Sequence, residues 1–161
     1  MRAANRRAGR EDVVAGTTEP IRRSVTVVRG VDEAFKLFTE GMGSWWPFVG
    51  HSIGEERASG LVFEPKQGGR LYEVWEDGSQ HHWAMVTKYD PPAGFALSWQ
   101  PNPERPAPTE IEVRFIAEGA GTRVELEHRG WELLGDQGPQ VRESYNSGWP
   151  TTLGRYAEAA A

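Results

Sequence analysis

Histidines, one carboxylate and a set of aromatic rings are the residues of this chain that could do chemistry. His81 and His82 are adjacent in a strand-like run, Gln80 to Tyr89, so they point to opposite faces. They cannot both reach one ion from one side. His128 falls on the inward face of a later strand by alternation, and His51 lies in a long connection. A metal site needs three or four converging ligands. Only His128, one of His81 and His82, and Glu73 could converge here, so neither a metal nor another cofactor is expected. His128 is either a buried histidine bonded to its surroundings or a pocket group that orients a ligand or moves a proton. Glu73 stands mid-strand between Tyr72 and Val74. Facing inward, it must be paired or have a raised pKa, as carboxylates at functional sites often do. Facing outward, it is an ordinary surface acid. A one-residue slip of register reverses the answer.

The aromatic residues are the most unusual feature. The chain has seven tryptophans in 161 residues. Each indole buries a large area and offers one N–H donor. Tyr72, Trp75, Trp83, Trp99, Tyr145 and Trp149 are spread over elements expected to flank one interior space. Some must be plain core, and two to four are expected to line a cavity with an N–H or O–H free for a ligand. Trp45, Trp46 and Phe48 are expected at its entrance. Nucleophilic catalysis finds no support, because the chain has no cysteine and no GxSxG. GxGxxG and phosphate-loop patterns are absent too. No catalytic residue is therefore assigned from motifs.

These groups need elements to position them. From Pro139 to Ala160, the residues Val141, Tyr145, Trp149, Leu153 and Tyr156 recur at helical spacing. One helix of this length spans roughly 30 Å. Pro150 removes the hydrogen bond to the Asn146 carbonyl, so a kink is predicted near Ser147–Pro150. Ile21 to Val28 reads as a strand. Asp32 reads as the N-cap of a two-turn helix through Phe38. Further strands follow at Gly60–Glu64, Gly69–Trp75, Gln80–Tyr89 and Phe95–Trp99. Asp77-Gly78 marks a hairpin. Val49–Ser59 is a long connection of the kind that forms binding loops or lids. The prolines from Pro101 to Pro108 make another connection extended and exposed. Ile111, Val113 and Phe115, then Val124, Leu126 and His128, alternate with charged residues. One buried and one wet face is the signature of a one-sided antiparallel sheet. A curved sheet wrapped on a long helix leaves a gap, and such a gap is a ligand site by default.

Composition sets outer limits. The formal net charge is −5, of which the first ten residues contribute +4, so residues 11–161 carry −9. A body this acidic is a poor partner for nucleic acid. No apolar run is long enough to span a membrane, and the first residues lack the core of a secretory signal. Residues 1–20 are expected to be a tail, residues 21–161 one ligand-binding domain, and the location cytoplasmic. A homodimer is left open.

Several stretches resemble the SRPBCC superfamily, the helix-grip fold of START and birch-pollen-allergen-like proteins. They are Gly68 to Glu73, Trp83 to Val86, Asp90-Pro91-Pro92 with Phe95 to Trp99, Thr109 to Phe115, His128 to Trp131, and Gly148-Trp149-Pro150. The nearest group is the one named after the activator of the heat-shock-protein-90 ATPase. The resemblance implies an α+β fold: six to seven antiparallel strands around a C-terminal helix, with a cavity between. The expected function is binding of a small apolar or aromatic molecule by Tyr72, Glu73, Trp75, Trp83, Trp99, His128, Tyr145 and Trp149. Two alternatives stand beside it. One is a cyclase- or hydrolase-like enzyme using His128 or Glu73 as general acid–base. The other is a co-chaperone-like interaction domain.

Overall fold

The computed structural model describes residues 16–161; residues 1–15 of the expected tail lie outside it. The strands are β1 (Ile21–Val27), β2 (Ala58–Phe63), β3 (Arg70–Trp75), β4 (Gln80–Asp90), β5 (Gly94–Trp99), β6 (Thr109–Glu118) and β7 (Gly121–Arg129). They form one curled antiparallel sheet in the order β1-β7-β6-β5-β4-β3-β2. Helix α1 (Val31–Phe38) follows β1, and helix α2 (Gly138–Ala159) ends the chain. This is the helix-grip architecture. No described helix is long and apolar enough to cross a membrane.

Alternation explains the covered face. Thr122, Val124, Leu126 and His128 of β7 are buried, and so are Thr109, Ile111, Val113 and Phe115 of β6. The intervening charges pair on the outer face, where Arg129 meets Glu110, Glu112 and Glu127. One irregularity in β4 governs the site. Leu71 pairs with Ala84 but Tyr72 pairs with His82, which leaves Trp83 as an extra residue. This bulge turns both Trp83 and Ala84 inward, and both are buried.

Pro150 lies inside the last helix, at the place where the sequence reading expected a kink. The helix runs unbroken from Gly138 to Ala159. Arg23 of β1 meets the need that the proline creates. Its Nη2 donates to the Asn146 carbonyl at 3.2 Å and to Asn146 Oδ1 at 2.6 Å. The carbonyl orphaned by proline thus has a charged donor, and the turn does not have to open to water. The N-cap of α1 is Gly30, not Asp32, which sits in the first turn where its charge favours the helix dipole.

The two halves of α2 do different work. Trp149, Leu153 and Tyr156 are buried, and the Tyr156 hydroxyl donates to the Ala34 carbonyl at 2.9 Å. Tyr156 also packs on Phe38 and Trp45, with ring centroids 4.8 and 5.2 Å away. Trp45 is therefore core rather than entrance. The N-terminal half presents Val141 and Tyr145, only partly buried, to an open space that they help to line.

Candidate functional site

That space is a cavity of about 530 Å³. Its walls come from the first half of α2, the inner face of β4 and β5, and two loops. One loop runs through Gly50, His51, Ser52 and Ile53. The other carries Pro101, Asn102, Pro103 and Arg105. Trp46, Trp83, Trp99 and Trp149 form the aromatic lining. Trp46 lies 5.0 Å from Trp83, 6.4 Å from Trp99 and 6.2 Å from Trp149, and Trp83 lies 5.5 Å from Trp99. All are edge-on or tilted contacts at ordinary aromatic spacing.

Every one of these indoles has its N–H occupied by protein. Trp46 donates to the His51 carbonyl at 2.8 Å, and Trp83 to Glu73 Oε1 at 2.7 Å. Trp99 donates to the Tyr145 hydroxyl at 2.9 Å, and Trp149 to His128 Nδ1 at 3.1 Å. The sequence reading expected an N–H or O–H free for a ligand; the four indole N–H groups are all taken, so these rings offer a ligand only apolar faces and edges. The Tyr145 hydroxyl accepts from Trp99, and its own proton has no acceptor among the described residues. Burial pushes this phenol above its usual range, so it remains protonated at neutral pH.

Of the eight residues nominated from sequence, Trp83, Trp99, Tyr145 and Trp149 line the cavity. Glu73 and His128 lie one layer behind. Glu73 is fully buried and faces inward. Its Oε1 accepts from the Ile53 amide at 2.8 Å and from Trp83, and its Oε2 accepts from the Gly54 amide and the Trp75 indole, each at 2.7 Å. Four N–H donors match the four lone-pair directions of a carboxylate. Glu73 thus ties the 50–55 loop to the sheet and fixes the Trp83 ring. Gly54 belongs to the same latch, because a Cβ there would lie 2.4 Å from the Trp75 indole nitrogen. Trp75 stacks on His81 at 3.8 Å, with the Arg57 guanidinium 4.1 Å from its ring, away from the cavity. Tyr72 lies on the opposite face of the sheet under Arg70, and its partner His82 is exposed there.

His128 is completely buried. An indole N–H can only donate, so Nδ1 is an acceptor and the ring proton sits on Nε2. Nε2 then donates to Thr109 Oγ1 at 2.8 Å. Burial lowers the His128 pKa from 6.5 to about 3. Both ring nitrogens are engaged, and the ring is neutral. This has a consequence for stability. Between about pH 3 and about pH 6.5 the unfolded chain binds a proton at this position and the folded chain does not. The stabilisation is therefore complete above about pH 6.5 and is lost progressively as pH falls toward 3. Urea unfolding followed from pH 7 to pH 4 should show a slope from this group of up to about 1.4 kcal/mol per pH unit. His128→Gln should flatten that slope by one proton. An unchanged slope would contradict a buried neutral ring.

The sequence reading marked Val49–Ser59 as the kind of connection that forms binding loops or lids without naming the lining residues, and it passed over Arg105. The 50–53 segment was recognisable as part of a long connection, but nothing local marks which of its residues turn inward. Arg105 sits among prolines that read as an exposed spacer, yet it is half-buried at the mouth. Among the described residues no three His, Cys, Asp or Glu side chains converge as metal ligands.

Comparison with known proteins places this geometry. The family model described as "Activator of Hsp90 ATPase homolog 1-like protein" matches residues 31–160. No curated protein matches the chain. Among solved structures, the anthrahydroquino-gamma-pyrone synthase Txn09 is 34% identical, with a TM-score of 0.60 over 86% of this chain and 95% of its own. The self-sacrificing resistance protein CalC from Micromonospora echinospora is 31% identical, with a TM-score of 0.68 over 89% of this chain and 94% of its own. Protein Ms6760 from Mycobacterium smegmatis shares the fold at 16% identity and a TM-score of 0.61, over 89% of this chain and 91% of its own. Fold and relatives together support a ligand-binding or cyclase-like role.

Proposed function

The chain belongs to the activator of Hsp90 ATPase homolog 1-like family, and from that premise we propose that it holds a flat polycyclic aromatic molecule between the sheet and α2. The observation that carries this reading is the set of four tryptophans facing one cavity with every indole N–H already bonded. Such walls reward stacking and apolar area and ask for few hydrogen bonds. A volume of about 530 Å³ lies within the usual range for small-molecule sites, about 300–1,000 Å³. The relative described as a synthase of an anthrahydroquinone-type product supports the same ligand class.

Titration with the hydroxyanthraquinone emodin tests it. Tryptophan fluorescence should quench saturably at one ligand per chain. Free ligand at about 100 times Kd should raise the melting temperature by roughly 5–10 °C. Dodecanol, an uncharged alkyl chain of similar volume, should do neither. Stabilisation by dodecanol and none by emodin would overturn the aromatic reading.

A second reading is ring closure inside the cavity. What favours it is the hydroxyl of Tyr145, a lining residue, which is a proton donor without an acceptor among the described residues. His128 and Glu73 are poor candidates for acid–base work, since their polar atoms are engaged behind the wall. A change in ligand mass after incubation would distinguish catalysis from holding. Docking of a protein partner has less support. The exposed large apolar residues Val28, Val49, Ile53, Val62, Met85 and Leu133 are spread over five separate segments.

A further inference from the structure

We infer that the aromatic ligand is an acid, with its carboxylate taken at the cavity mouth by Arg105 and the Tyr145 hydroxyl. This deepens the aromatic-cavity reading and rests on it.

Three observations converge. First, the chain carries 23 acidic residues, yet among the described residues no Asp or Glu lines the cavity, whereas Arg105 does. The acidic body repels anions at long range, but at contact distance the mouth presents a cation and no competing carboxylate. Second, Arg105 is held in place without being neutralised. Its Nη1 donates to Gln137 Oε1 at 2.7 Å, its amide donates to the Asn102 carbonyl at 3.2 Å, and its carbonyl accepts from the Gln100 side chain at 3.0 Å. No carboxylate pairs with it among the described residues. Arg129, on the outer face, has three. A guanidinium has five N–H donors in a planar fork suited to a carboxylate, and here one is used. Third, Tyr145 lines both the main cavity and a small adjoining pocket of about 60 Å³, and Arg105 lines both with it. The tyrosine receives the Trp99 N–H bond, which polarises its own O–H toward an acceptor. The Arg105 charge offsets in part the upward shift that burial imposes on that phenol. A donor fork and a donor hydroxyl on residues that share the lining of both pockets complement a group made of acceptors. Among such groups a carboxylate is fully ionised at neutral pH and accepts two parallel bonds.

The test compares anthraquinone-2-carboxylate with its methyl ester, which has the same ring system and no charge. The wild-type protein should bind the acid at least about tenfold more tightly than the ester, a difference of one charge-assisted hydrogen bond. Arg105→Gln should bring the two within about threefold by weakening the acid alone, at unchanged melting temperature of the free protein. Arg105→Lys should fall between, since it keeps the charge and loses the fork. Equal binding of acid and ester by the wild type would overturn the inference and leave the aromatic reading standing. Tight acid binding that survives Arg105→Gln would also overturn it. If neither compound binds, the aromatic reading itself fails.

Discussion

Replacing Glu73 with glutamine should cost about 3 kcal/mol or more in urea unfolding, although the two side chains have nearly the same shape. The carboxylate takes four N–H donors, two on each oxygen. An amide has one oxygen and one NH₂. In either orientation its NH₂ faces two donors, which are left unpaired in a buried site, at about 1–3 kcal/mol for each unsatisfied group. Glu73→Ala removes all four acceptor contacts and should cost more than Glu73→Gln. The damage should reach the cavity as well. Trp83 and Ile53 are both lining residues that Glu73 holds, so aromatic ligand affinity should fall with stability. A Glu73→Gln cost below about 1 kcal/mol would mean that water or a rearranged loop replaces the carboxylate. The latch would then not exist as described.

Trp149→Ala should cost about 3–5 kcal/mol, the usual penalty for truncating a buried large side chain. The ring is 5% exposed and closes the inner end of the cavity against Trp46 and His128. Its loss also strips His128 Nδ1 of its only donor among the described residues, in a site that keeps the imidazole neutral. Trp149→Phe separates the two contributions. It retains most of the apolar area and still orphans the histidine nitrogen, so it should cost about 1–3 kcal/mol. A cost below about 1 kcal/mol for Trp149→Ala would show that α2 does not clamp the sheet at this point.

Much of the architecture was legible from local pattern. Charged and apolar residues alternate without a slip in β6 and β7, and that placed His128 inside. The four-residue spacing from Val141 to Leu153 announced the long helix. What local pattern could not convey depends on distant partners. The orientations of Tyr72 and Glu73 hang on the β3–β4 register and its bulge at Trp83, and Asp77-Gly78 locates the turn without fixing that bulge. The Asn146 carbonyl that Pro150 leaves without its helical donor is taken by Arg23, 123 residues away. Whether an indole N–H is free cannot be read from one strand, since Trp99 finds Tyr145 across 46 residues. The helical stripe likewise does not show which half packs and which half faces a hollow. Arg105 was hidden for another reason: prolines on both sides mark an extended connection, and nothing in that pattern says that one side chain folds back to the mouth.

The central claim is that four particular tryptophans wall one ligand cavity. The indole N–H signals of the wild-type protein, assigned by single Trp→Phe variants and followed by NMR during titration with an anthraquinone, read this ring by ring. The signals of Trp46, Trp83, Trp99 and Trp149 should move together and saturate at one equivalent, while that of Trp45, buried in the core beside Phe38 and Tyr156, stays in place. Binding that moves Trp45 and leaves those four unchanged would put the ligand elsewhere and contradict the account.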